Sequence, residues 1–89
     1  MDSHVTARFR KSFNALPVDV QEKAKHAYKI WTDNPNHPSL HFKPVHETEP
    51  IYLVRIGLYH WAPGVKELNT VIWFWIGTHE EYNNLISHL

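Results

Sequence analysis

The spacing of the apolar residues divides this sequence into a front half with helical periodicity and a back half rich in β-prone residues. Two apolar stripes in the front half predict two helices. Pro17 suits the start of the second helix, and Asn34 with Pro35 ends it. We therefore predict a helical hairpin, with one stripe formed by Val5, Phe9, Phe13 and Leu16 and the other by Val20, Ala24, Ala27, Tyr28 and Trp31.

The back half predicts three strands. Leu40 and Phe42 alternate with polar residues, which predicts a short strand that Pro44 ends or marks as a sheet edge. Residues 51–61 are almost all β-prone and predict one long strand. Residues 70–76 are continuously apolar, which predicts a central strand buried on both faces.

Glycines suggest where these strands bend or turn. Gly57 lies inside the long predicted strand and indicates a bulge. Because a bulge shifts the alternation of side chains, it would let Arg55 and His60 share a face despite their odd separation. Residues 62–69 contain a Pro-Gly pair and predict a hairpin loop.

The last predicted element is a helix that begins after Thr78. Thr78 and Glu81 have the spacing of a capping box, in which two side chains satisfy the first backbone N–H groups of a helix. The order α-α-β-β-β-α predicts an α+β fold, with the helical hairpin and a C-terminal helix packed on a small antiparallel sheet. A chain of this length closes one core, so residues 1–89 are expected to form a single domain. The helix should pack on the sheet up to the C-terminus through Tyr82, Leu85, Ile86 and Leu89.

Charge and composition narrow the function classes. Nine basic and nine acidic side chains give no net charge, so the chain as a whole lacks the signature of a nucleic-acid binder. Residues 1–45, however, contain seven basic and four acidic side chains, whereas residues 46–89 contain two and five. The lack of cysteine excludes disulfides and thiol chemistry, and no apolar run approaches the roughly 20 residues of a membrane span. We expect a cytoplasmic protein.

The sequence has eight histidines, and His79 is the most informative of them. It directly follows the capping threonine, in the first turn of the predicted helix. The N-terminus of a helix attracts anions, so a phosphate could dock beside this imidazole, which can act as a general acid or base. The alternative is that His79 only begins the helix and points to solvent.

Lys43 and Arg55 lie on strands predicted to be neighbours. Two cations held on strands can bind a phosphodiester and stabilise the extra charge of its transition state, although a solvated sheet face would use the same residues. His41 and His60 could extend such a surface or serve as ordinary exposed histidines. Tyr82 is either core or a hydroxyl that reaches the site of His79, and no metal site is expected because prolines interrupt the histidine series at 37, 41 and 46.

Several segments in one order resemble a known family: Leu16-Pro17, Asn34-Pro35, residues 37–43 (HPSLHFK), residues 52–57 (YLVRIG) and residues 71–82 (VIWFWIGTHEEY). They are similar to those of RelE/ParE-superfamily toxins of type II toxin–antitoxin systems, in a small branch that resembles RelE and HigB. The match extends over nearly the whole chain from about Phe9.

The resemblance implies a RelE-like fold and a ribosome-dependent mRNA endoribonuclease that inhibits translation without a cofactor. In such enzymes the ribose 2′-OH attacks the adjacent phosphate. By position, Lys43 and Arg55 would bind the phosphate, His79 would be the general acid or base, and Tyr82 would contact RNA. From its place on the same surface, we also expect His41 to contact RNA. The implied partners are a cognate antitoxin and ribosome-bound mRNA, with no membrane; the oligomeric state stays open.

One position departs from the family pattern. His60 stands where this branch usually has an arginine, and imidazole cannot form the bidentate contact of a guanidinium. Phosphate stabilisation should therefore weaken unless His60 acts as an acid or base. Two alternatives to the ribonuclease remain: a ParE-like gyrase inhibitor, and a catalytically attenuated homologue that only binds an antitoxin.

Overall fold

The helical hairpin has two helices, as the apolar stripes predict, but Val5 of the first stripe lies in a strand that precedes the first helix. The hairpin is formed by α1 (Ala7–Asn14) and α2 (Val18–Asp33) in the computed structural model, which describes residues 1–87. The Thr6 hydroxyl caps α1 by accepting a hydrogen bond from the Phe9 N–H at 3.1 Å. Pro17 lies at the cap of α2, and the helix ends at Asn34, as predicted.

Six strands form one sheet, in which the order is β1-β5-β4-β3-β2 and β6 pairs with β4. All neighbours are antiparallel except β1, which runs parallel to β5. Strand β1 was not predicted, because its residues are mostly polar and only pairing with β5 makes them a strand. The strands are β1 (Asp2–Val5), β2 (Lys43–Pro44), β3 (Ile51–Ile56), β4 (His60–Glu67), β5 (Thr70–Trp73) and β6 (Gly77–Thr78).

The short predicted strand around Leu40 begins later than expected. Leu40 instead ends a 3₁₀ turn, Pro38–Leu40, and is almost completely buried. His41 follows in the left-handed conformation, with φ of 48°, so the chain turns before β2 begins at Lys43.

The prediction of one long strand over residues 51–61 is wrong. Gly57, with φ of 62°, starts a three-residue turn that separates β3 from β4. The ladder has no bulge here: Arg55 lies opposite Trp61, and Ile56 lies opposite His60. Since opposite residues share a face, Arg55 and His60 belong to opposite faces of the sheet, contrary to the expectation.

The predicted loop over residues 62–69 is also wrong, because most of it belongs to β4. Gly64 is needed there, since a Cβ at this position would lie 2.7 Å from side-chain atoms of Val71 and Trp73. Pro63, which has no N–H to donate, is tolerated because it lies in the gap between the segment of β4 that pairs with β5 and the segment that pairs with β6. Its carbonyl accepts the Phe74 N–H at 3.3 Å.

The predicted strand over residues 70–76 is shorter than expected. Strand β5 ends at Trp73, and its exposure alternates instead of being buried on both faces. Val71 and Trp73 are buried, whereas Thr70 and Ile72 are only half-buried.

The core lies between the helical hairpin and one face of the sheet. Trp31 of α2 packs edge-on against Trp73, with ring centroids 5.4 Å apart. Helix α1 contributes no fully buried residue, and it partly covers an apolar cavity of about 200 Å³. Phe9, Phe13, Ala24 and Ala27 are among the residues that line this cavity.

The other face of the sheet carries Leu53, Arg55, Trp61 and Pro63 and is called the α3 face here. Helix α3 (His79–Ile86) packs against it, and Thr78 forms the predicted capping box with Glu81. Leu89 of the predicted stripe lies outside the described residues. Among the helices described, none is both long and apolar enough to cross a membrane.

Candidate active site

The start of α3 is fixed to the β3–β4 hairpin by backbone contacts. Strand β6 pairs Thr78 with His60 and Gly77 with Trp61. The His79 N–H then donates to the Tyr59 carbonyl at 2.9 Å. His79 is thus the first residue of the helix, and its side chain is exposed beside the start of β4.

His79 belongs to a small aromatic cluster with Trp61 and Tyr82. Its imidazole lies against the Trp61 indole, with ring centroids 4.6 Å apart and an angle of 31° between the planes. Tyr82, one helical turn on, stacks on the same indole at 5.6 Å. Trp61 is half-buried and Tyr82 is 5% exposed, so the imidazole is the outer ring of the cluster.

Lys43 and Arg55 belong to the α3 face by their register. Lys43 lies opposite Leu53, which makes Arg55 its diagonal neighbour on the adjacent strand. The backbones of diagonal neighbours are typically about 7–8 Å apart. The Arg55 side chain turns back along the hairpin, however, and its Nε donates to the Gly57 carbonyl at 3.0 Å. There it lines an open groove of about 730 Å³ with residues of α2, among them Lys23.

The histidines at 41 and 60 are not members of this cluster, although His60 pairs with Thr78 in the ladder beside it. His41 is exposed and precedes β2 in its left-handed turn. His60 belongs by register to the opposite face from Arg55. The structure therefore brings His79 and Tyr82 together around Trp61, but places neither His41 nor His60 in that stack.

Two groups at the start of α3 have shifted pKa values. Hydrogen bonds from the Thr78 backbone N–H and hydroxyl are the main causes that lower the pKa of the Glu81 carboxyl. Burial raises the pKa of the Tyr82 hydroxyl, which has no hydrogen-bond partner among residues 1–87. The tyrosine therefore stays a neutral phenol and cannot act as a base near neutral pH.

This arrangement of strands and helices agrees with comparisons to known proteins. A family described as the ParE-like toxin domain matches residues 18–84. The chain belongs to the ParE-like toxin family. The superfamily that the sequence motifs indicated is thereby confirmed. Among curated proteins, no sequence matches this toxin.

Solved structures of other toxins share the fold. The RelB–RelE antitoxin–toxin complex from Methanococcus jannaschii superposes with a TM-score of 0.75 at 13% identity, over 92% of this chain and 96% of that chain. YafQ from Escherichia coli strain BL21(DE3) gives 0.74 at 12% identity, over 91% and 96%. The isolated E. coli RelE toxin gives 0.65 at 13% identity, over 98% and 96%. These similarities confirm the RelE-like α+β fold.

Other histidines of this toxin have local roles. The Nδ1 atom of His37 accepts from the Ser39 N–H at 3.2 Å and so caps the 3₁₀ turn. The Nδ1 atom of His46 accepts from the Glu49 N–H at 3.0 Å in the loop before β3. Within residues 1–87, no three histidine, aspartate or glutamate side chains converge as a metal-binding group.

Trp61 is the member of the cluster that sequence reasoning did not connect to His79. The two residues are far apart along the chain, and the predicted long strand placed Trp61 at a strand end. A turn at Gly57 would have placed Trp61 in a second strand, but the pairing of β4 with β6 that brings Trp61 to His79 has no local signal in the sequence.

Proposed function

We propose that this toxin is a metal-independent endoribonuclease that cleaves mRNA on the ribosome and so inhibits translation. The observation that supports this best is the exposed His79 imidazole at a helix N-terminus, which contacts Trp61 on the sheet face that Lys43 and Arg55 share by register. The Arg55 side chain itself extends toward the groove beside α2. An imidazole for proton transfer and cations for a phosphate are what RNA cleavage by an internal nucleophile requires.

In the proposed reaction, the ribose 2′-oxygen forms a bond to the adjacent phosphorus while the bond from phosphorus to the 5′-oxygen breaks. The 2′-hydroxyl loses its proton, and the leaving 5′-oxygen gains one. The products are a 2′,3′-cyclic phosphate and a 5′-hydroxyl. We assign one of the two proton transfers to His79, whose ring is exposed at the surface.

Lys43 and Arg55 are assigned to the phosphate. Among residues 1–87 the one ion pair joins Lys25 to Glu22, so neither of the two cations is neutralised by a carboxylate. The Nε of Arg55 is engaged by the Gly57 carbonyl, which leaves the terminal guanidinium nitrogens for an anion. These cations would stabilise the charge that develops on the phosphate oxygens.

The remaining assignments are secondary. His41, exposed next to β2, would contact RNA, and His60 is the candidate for the second proton transfer. Tyr82 is buried, so we assign it to supporting Trp61 rather than to direct contact with RNA. A cognate antitoxin is the proposed protein partner, since the M. jannaschii structure of the same fold is an antitoxin–toxin complex.

Induced expression in a bacterium tests the ribonuclease. We expect growth arrest and new mRNA 5′ ends within translated frames, and we expect neither for His79→Ala expressed at the same level. Mapping of 5′ ends distinguishes cleavage from general decay. Intact mRNA and normal growth with a folded wild-type protein would contradict the proposal and favour a homologue that only binds an antitoxin.

A second candidate is a gyrase inhibitor, which is favoured by the ParE-like description of the matching family. Such a toxin arrests replication before translation. Measuring DNA and protein synthesis after induction separates the two, because a ribonuclease stops protein synthesis first. His79→Ala should not relieve a gyrase inhibitor, since that activity needs no proton transfer to RNA.

A further inference from the structure

We propose that Trp61 is a positioning residue, which holds the His79 imidazole in the orientation for proton transfer. The inference rests on the proposed ribonuclease function. Its basis is the tilted contact of the imidazole with the indole, at 4.6 Å between ring centroids and 31° between the ring planes.

The backbone fixes where His79 lies relative to Trp61. Gly77 and Thr78 pair with β4 at Trp61 and His60, and the His79 N–H donates to the Tyr59 carbonyl. The Cα atoms of the two residues are therefore held by ladder and turn hydrogen bonds. The remaining freedom of His79 is rotation of its side chain.

The indole restricts that rotation. Within residues 1–87 no hydrogen bond holds the imidazole. The Trp61 ring is the one aromatic ring that contacts it in this part of the chain. Trp61 is itself held from the other elements: it is half-buried, lies opposite Arg55 in the ladder, and stacks on buried Tyr82 at 5.6 Å. The Trp61 indole, which is held in place, thus orients the His79 imidazole.

Stacking also suits proton transfer better than a hydrogen bond would. The contact is between two rings whose planes lie 31° apart, and it uses neither Nδ1 nor Nε2 as a hydrogen-bonding atom. Both nitrogens therefore remain available to exchange a proton with a substrate or with water. A hydrogen bond to the protein would have occupied one of them.

Substitutions of Trp61 test this inference, with Trp75 as the matched control. Trp75 is also half-buried and precedes α3, but it has no ring contact with a candidate site residue in the described chain. We expect Trp61→Leu to lower kcat on ribosome-bound mRNA by roughly 10- to 100-fold with KM nearly unchanged. Trp61→Phe, which keeps a stack, should retain most activity, and Trp75→Leu should resemble the wild type.

A spectroscopic readout separates orientation from activity. In proton NMR spectra the C–H resonances of the His79 ring should lie upfield in the wild type, because they are shielded by the indole face. They should return toward ordinary positions in Trp61→Leu but not in Trp75→Leu. Trp61→Phe should give an intermediate position, and thermal melting confirms that each variant is folded.

The outcomes are distinguishable. An active wild type whose Trp61→Leu variant is folded and equally active would overturn the inference, as would His79 resonances that do not move. If Trp61→Leu does not fold, Trp61→Phe tests the inference instead. A folded Trp61→Phe that keeps the upfield His79 resonances but has lost RNA cleavage would also contradict the inference. A wild type that shows the upfield position but cleaves no RNA would refute the ribonuclease and not the stack.

Discussion

At the residue scale, Tyr82 is a core residue whose ring packs well and whose hydroxyl is left without a hydrogen-bond partner in the described chain. Its ring stacks on Trp61 and its side chain is 5% exposed, while its hydroxyl has no hydrogen-bond partner among residues 1–87. A buried hydroxyl without a partner loses its hydration without compensation. The Tyr82 ring therefore stabilises the fold, whereas its hydroxyl lowers the free energy of unfolding.

We predict that Tyr82→Phe raises the free energy of unfolding by up to about 1 kcal/mol, because it removes the unpaired hydroxyl and keeps the stack. Denaturant unfolding measures the change, and RNA cleavage should stay near the wild-type rate. A folded variant that has lost cleavage would show that the hydroxyl contacts RNA, as the family resemblance first implied.

At the element scale, the start of α3 joins stability to the candidate site. The Glu81 N–H donates to the Thr78 hydroxyl at 3.1 Å, and the Glu81 carboxylate accepts from the Thr78 N–H at 3.0 Å. His79 lies between these two residues in the chain, in the first turn of the helix that they stabilise. The cap therefore supports the backbone from which the imidazole projects.

We predict that Thr78→Ala lowers the free energy of unfolding by about 1 kcal/mol, because a helix N–H loses its acceptor. Thr78→Ser is the matched control, since it keeps a hydroxyl and should change stability little. Equal stability of the alanine and serine variants in chemical denaturation would show that the cap contributes nothing to this helix.

The cap should also depend on pH through Glu81. The folded-state pKa of this carboxyl is lowered, chiefly by its hydrogen bonds with Thr78, so its contribution is complete above the unfolded value of about 4.3. It is lost as pH falls through the lower folded-state value. The free energy of unfolding is therefore to be measured from about pH 7 down to about pH 3. As the pH falls, this free energy should decrease less in Glu81→Gln than in the wild type.

At the scale of the whole molecule, the two faces of the sheet are packed unequally. Helix α3 is anchored through its cap and strand β6, whereas α1 has no fully buried residue and partly covers a cavity of about 200 Å³. This cavity is open to solvent on one side, so its apolar lining is incompletely packed and part of it stays in contact with water. The helical hairpin is therefore where the core can be improved.

We predict that Ala24→Leu, which extends into this cavity from α2, raises the free energy of unfolding by about 1 kcal/mol. Ala7→Leu is the control, because Ala7 is exposed on α1 and does not line the cavity. Thermal or denaturant unfolding compares the two. Destabilisation by Ala24→Leu alone would mean that the space cannot accept a larger side chain.

Local patterns in the sequence determined the helices and their ends. The period of the apolar stripes predicted α2 through Trp31, and the spacing of Thr78 and Glu81 predicted the start of α3. These signals act within a few residues of the chain, so they are present before any tertiary contact forms. The motif order also indicated the toxin family, which the comparison confirmed.

Tertiary structure alone decided the sheet and the neighbours of His79. Strand β1 exists because it pairs with β5, and Pro63 and Gly64 lie in β4 because ladder gaps and the Trp73 side chain accommodate them. The turn at Gly57 sent Arg55 and His60 to opposite faces. Strand pairing joins residues distant in sequence, so no local pattern could have placed Trp61 against the imidazole.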